Sequence, residues 1–134
     1  KENWILDVEK DKVNIALFHG CVAGCETDIG FPMTHGDIEF SDLEKFDYAL
    51  LGDIHKTNQP LDFAGRCRYP GSLVQQNHGE TNDKGFLLWD IKDKDTFSVD
   101  HHSSPTKAMN RYPFIPPSTI ASVPPAAEIT FIIS

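Results

Sequence analysis

The sequence predicts an α/β chain that is rich in strands and has few, short helices. Three observations carry this. Apolar residues come in short runs, each closed by a glycine, as buried strands are, and the first carries the β-branched Val13 and Ile15. Two further runs, 85–91 and 96–101, are joined by Lys92-Asp93-Lys94-Asp95, the pattern of a hairpin. A single stretch, from Ser41, opens like a helix.

The elements follow in order. Val13–His19 is nearly continuous in apolar residues, too short for a helix, and ends at Gly20. Residues 21–40 hold Gly24, Gly30, Pro32 and Gly36 and read as a long irregular loop, a kind that is often functional in a compact domain. Ser41 and Glu44 have capping-box spacing, and the helix they start can run only to about Phe46. Tyr48–Leu51 is a second buried strand, closed by Gly52. Leu61–Tyr69 alternates weakly and stops at the turn Pro70-Gly71. Gly85–Ile91 and Thr96–His101 form the hairpin. Six of the nine prolines fall in residues 105–134, which read as a connector.

Composition sets the outer limits. A chain of 134 residues makes one domain at most. Its hydrophobic fraction is 40%, and the nine glycines lift this to about 47%, in the ordinary globular range. No apolar run approaches the ~18 residues of a membrane span, and Lys1-Glu2-Asn3-Trp4 does not open like a secretory signal. Twenty acidic residues against 12 basic ones give a net charge of −8. That argues against a module gripping nucleic acid by its own charge. It leaves room for an enzyme whose cations arrive as bound metal. Three cysteines, an odd number, point to a reducing, cytoplasmic setting rather than a disulfide scaffold. The start without Met reads as a fragment or a processed chain.

His19 and His55 sit at or just past strand ends, where the strand fixes the backbone and the loop exposes the side chain. Asp53 and His55 are two apart, which in extended chain puts both on one face. His19, Asp53 and His55 together offer two imidazoles and a carboxylate, a donor set for manganese, iron or zinc. Each alone has an ordinary reading as a surface or capping residue. Cys21, Cys25 and His35 share one loop and form a weaker zinc candidate, with no matching second pair. Arg66 and Arg68 alternate toward one face, open to a phosphate or simply to solvent. His101-His102 reads as surface, and Phe86 and Trp89 as core.

The run from Phe46 to Lys56, with Asp47-Tyr48 leading into Gly52-Asp53-Ile54-His55, resembles the last metal motif of the calcineurin-like metallophosphoesterases. It is most similar to their DNA double-strand-break repair branch, the SbcD-type subunit and its T-even phage recombination counterpart. Three further landmarks keep the family's order: Asn14–Gly20, Tyr69-Pro70-Gly71-Ser72, and Gly79-Glu80 ahead of Lys84–Ile91. They span about residues 13–101, and Gln75–Glu80 looks most like the phage-type members.

The resemblance implies a strand-rich half of a two-sheet metallophosphoesterase sandwich. Residues 1–104 would be the C-terminal half of the phosphoesterase domain, and 105–134 a connector into an incomplete capping region around Asn110–Phe114. His19 would ligate one metal and His55 the other. Position 53 matches the first His of the motif and holds Asp. The family's earlier motifs, Asp-x-His, Gly-Asp and Gly-Asn-His, are not in these residues. The implied parent is a manganese-dependent DNA exo- or endonuclease subunit with two ions, acting on DNA beside an ATPase partner and with no membrane. By itself the chain is expected to be inactive and to self-associate through strand edges. Two alternatives stay open: a phosphoesterase of the same fold acting on small phosphodiesters, and a non-catalytic metal- or partner-binding module.

Overall fold

The computed structural model describes residues 8–105 and the strand 130–133. Among these, seven strands and one 3₁₀ turn form two sheets. The first holds β1 (Ile15–His19), β2 (Tyr48–Gly52), β3 (Gln59–Pro60) and β4 (Cys67–Tyr69), in the order β1-β2-β4-β3. β2 runs parallel to both β1 and β4, and β3 is antiparallel to β4. The second holds β5 (Gly85–Ile91), β6 (Phe97–Ser103) and β7 (Thr130–Ile133), with β5 in the middle and antiparallel to both. No helix among the described residues is long and apolar enough to cross a membrane.

β2 organises the interior. All five of its residues are buried, and strand alternation divides them between two faces. Ala49 and Leu51 pack with Ala16, Val22, Cys25, Cys67 and Tyr69 beneath the 21–40 loop. Tyr48 and Leu50 face the second sheet and meet Leu87 and Trp89. There the Tyr48 ring stands edge-on to Trp89 and Phe97, at 6.3 and 5.2 Å between centroids. Its hydroxyl donates to the Asp93 carbonyl at 2.7 Å, so the one polar atom of this contact is satisfied.

The structure corrects several expectations. The helix from Ser41 is only a 3₁₀ turn, Phe40–Asp42. Its start is fixed by Asp42, whose carboxylate accepts the Glu39 N–H at 3.0 Å. Little chain remains before Asp47 and Tyr48, whose N–H groups already bond to the Asn14 carbonyl and lead into β2. The weak alternation of 61–69 yields only β4 at its end. Asp62 explains the break, because its side chain accepts the Cys67 N–H at 2.8 Å and folds the intervening chain into a turn. Phe86 is not core: it lies on the outer face of β5, stacked on His102 at 5.2 Å. Most of the 105–134 segment lies outside the described residues, and Thr130–Ile133 pair with β5.

Candidate functional site

Parallel pairing decides where the two candidate loops emerge. The β1–β2 register runs from Ile15 opposite Tyr48 to His19 opposite Gly52. Both strands therefore end at one edge of the sheet, with His19 across from the residue before Asp53. The imidazole of His19 lies over Gly52, where a Cβ would sit 2.8 Å from the ring. A side chain at position 52 would displace His19. Asp53 follows in the left-handed region, with φ of 93°, a strained backbone for any residue other than glycine. This bend carries the chain out of β2 and turns Ile54 back against the core while His55 stays half-exposed.

His55 is oriented from behind. Its Nδ1 lies 2.8 Å from the Glu80 Oε1, an arrangement that leaves Nε2 as the nitrogen able to ligate a cation. Glu80 is buried, and its carboxylate also accepts the Gln76 N–H at 2.9 Å and the Asn77 amide at 2.7 Å. Burial by itself would raise the Glu80 carboxyl. The bonds from Gln76, His55 and Lys84 outweigh burial and hold it below the usual range. Lys84, 2% exposed, stands 3.3 Å from both Glu80 and Asp28 and donates to the His55 carbonyl at 2.9 Å. One buried cation thus serves two buried carboxylates, and net negative charge lies behind the His55 ring.

Gly71 explains why a Tyr-Pro-Gly turn accompanies this loop. Its φ is 93°, and a Cβ there would come within 2.8 Å of the Thr57 Cα and 3.1 Å of the His55 carbonyl oxygen. The backbone after His55 rests directly on Gly71. Tyr69, two residues earlier, is fully buried and reaches the other loop. Its hydroxyl donates to the Gly20 carbonyl at 2.7 Å and accepts the Val22 N–H at 2.9 Å. One turn therefore braces both the loop after His19 and the loop of His55.

Asp53 and His55 line a cleft of about 390 Å³ together with Glu80, Asp28 and the exposed Ile29 and Phe31. His19 stands at the same sheet edge but is not among the residues lining that cleft. The donor types suit a divalent cation. Their number does not complete a coordination shell: no three His, Cys, Asp or Glu side chains converge to hold a metal among the described residues. The Cys21, Cys25 and His35 candidate shares that outcome, because only the backbone carbonyl of His35 approaches Cys21, at 3.7 Å. The two arginines of the strand pattern are engaged with separate neighbours. Arg66 covers the Tyr48 and Phe97 rings and pairs with Asp95, and Arg68 donates to Asn58 at 2.6 Å.

Asp28, Glu80 and Lys84 are the residues that sequence reasoning did not place in the site. The Glu80 and Lys84 landmarks carried the signal. Asp28, in an irregular loop far from both in sequence, carried none.

The comparisons with known proteins agree with a metal-dependent chemistry only at a coarse level. No protein-family model and no solved structure matches the chain with significance. Over 95 residues, 70% of the chain, it is 36% identical to an uncharacterized protein of Acanthamoeba polyphaga mimivirus, of which it covers 7%. Over 83 residues, 61% of the chain, it is 34% identical to the uncharacterized metallophosphoesterase YhaO of Bacillus subtilis, of which it covers 20%. The chain thus spans a fifth or less of either protein, and one of these two distant relatives bears the name of a metallophosphoesterase.

Proposed function

We propose that this chain is the second half of a metallophosphoesterase domain whose whole protein hydrolyses phosphodiester bonds in DNA. The observation that carries the reading is the Glu80–His55 pair at the end of β2. A buried carboxylate there fixes an imidazole whose other nitrogen is presented for a cation. The likeness to the Bacillus subtilis metallophosphoesterase supports the same class. The contact of two sheets through Tyr48, Leu50, Leu87 and Trp89 supports half of a two-sheet sandwich.

In this reading His55 and His19 are metal ligands, and Asp53 adds a hard oxygen donor that favours manganese or magnesium over zinc. When bound, such cations neutralise phosphate oxygens and acidify a water nucleophile. The described residues do not complete the ligand set, so hydrolysis is not assigned to them alone. The parent would be a manganese-dependent nuclease subunit of DNA repair or phage recombination, cytoplasmic and paired with an ATPase.

Two measurements test this. Calorimetric titration of the chain with manganese should show weak binding that disappears in His55→Ala. In the whole protein, duplex DNA should be cleaved in the presence of manganese. Cleavage of a chromogenic phosphodiester without cleavage of DNA would move the reading to a small-molecule phosphoesterase. Failure of both, with no manganese heat, would leave a non-catalytic module.

A further inference from the structure

We propose that Cys21 and Cys25 form a redox-active dithiol that closes to an intraloop disulfide when it meets a low-molecular-weight disulfide such as oxidised glutathione. This does not depend on the phosphoesterase reading. The sulfur atoms of the two free thiols lie 3.6 Å apart. A disulfide needs about 2.05 Å, so the two sulfurs must close by roughly 1.5 Å.

The backbone between them is already shaped for it. Gly24 takes φ of 89°, reversing the chain within the short segment. The Cys25 N–H donates to the Val22 carbonyl at 3.1 Å, and the Cys21 N–H donates to the Asp37 carboxylate at 2.8 Å. The Cys25 carbonyl accepts the Met33 N–H at 2.7 Å, and Tyr69 clamps Gly20 and Val22. Both cysteines are therefore held before any bond forms. The third cysteine, Cys67, is buried in β4 and serves as an internal reference.

The two thiols have different parts. Cys21 is half-buried and reachable, whereas Cys25 is fully buried. Burial and the neighbouring Cys21 push the Cys25 thiol up to about 12. Cys21 thiolate attacks one sulfur of oxidised glutathione, breaking its S–S bond and releasing one glutathione thiolate. Cys25 then loses its proton to solvent and attacks the Cys21 sulfur, releasing the second glutathione thiolate. Two electrons pass from the cysteine pair to glutathione, which leaves as two thiols. The second step is the slower one, because Cys25 is fully buried and must give up its proton there.

The test is a thiol count on the native chain. It is incubated with oxidised glutathione, then denatured and alkylated, and intact and peptide masses are read. The expected product is two hydrogens lighter, retains one alkylatable thiol of three, and links Cys21 to Cys25. A glutathione adduct on Cys21 should appear first and decay, and excess dithiothreitol should restore all three thiols. Cys25→Ser should stop at the adduct. Three thiols still alkylatable after incubation, a bond involving Cys67, or a bond between chains would overturn the proposal. The wild-type count decides the matter even if the variant does not fold.

Discussion

Tyr69 uses one hydroxyl twice, donating to the Gly20 carbonyl and accepting the Val22 N–H, with no solvent to replace either bond. Tyr69→Phe keeps the ring and leaves both partners unsatisfied in the core, which should cost about 2 kcal/mol. Chemical denaturation at pH 7 measures it, and a loss under 0.5 kcal/mol, on the order of a surface change, would show that the loop after His19 is braced by something else. Glu80 makes a pH-dependent contribution. Its carboxyl is held below the ordinary value of 4.5, so the folded state releases that proton more readily than the unfolded one. Its stabilisation is therefore fully present above about pH 4.5 and is lost as the pH falls through the lower folded value. Asp47 behaves alike from its ordinary 3.8, burial being outweighed by bonds from Asn14 and the charge of Lys94. Glu80→Gln should lose about 2 kcal/mol at neutral pH, since Lys84 loses an ionic partner and His55 the carboxylate that orients it. The gap to wild type should be smaller at about pH 3, below the ordinary carboxyl value of 4.5, than at neutral pH. An equal gap at both pH values would mean that the Glu80 charge is not what stabilises the pocket.

The strands were legible where their chemistry is local. β1, β2 and the β5–β6 hairpin each carry a run of apolar or β-branched residues and a stop signal, and each is found within a residue or two of its expected place. The Ser41 helix and the 61–69 strand failed for different reasons. Little chain separates the turn that Asp42 caps from Asp47 and Tyr48, already bonded to Asn14, and Asp62 captures the Cys67 N–H and turns the chain before a regular ladder can extend. In the candidate site, the Gly52–His55 segment was visible because it follows a strand, whereas the Asp28–Lys84–Glu80 cluster depends on the 21–40 loop meeting the 80–84 segment. β2 also gives a prediction at this scale. Leu50 is buried against the second sheet, while Leu17 of β1 is 63% exposed. Leu50→Ala should cost 2–5 kcal/mol, and Leu17→Ala about 0.5 kcal/mol or less. Comparable losses in thermal unfolding would mean that Leu17, beside Leu50 on the same face of the sheet, is covered in solution.

At the scale of the molecule, β1 is an edge strand of its sheet among the described residues, with Leu17 exposed and a parallel partner on one side only. Such an edge is a template for another chain, and we expect the protein to associate at tens of micromolar. Light scattering should give a mass above the 15.0 kDa of one chain, and Leu17→Lys should restore the monomer. A clean monomer at that concentration removes this expectation. The same β1–β2 pairing bears on how the chain reaches its fold. Residues 20–47 must form a closed loop before His19 can sit opposite Gly52, whereas β5 and β6 meet across a short turn. Loop closure is entropically unfavourable and distant parallel strands are slow to find each other. The hairpin is therefore expected to form first and to offer Leu87 and Trp89 as a surface on which β2 condenses through Tyr48 and Leu50. The cleft around Asp53 and His55 then has no existence in a half-folded chain. A newly made protein would have no such cleft until its interior had closed.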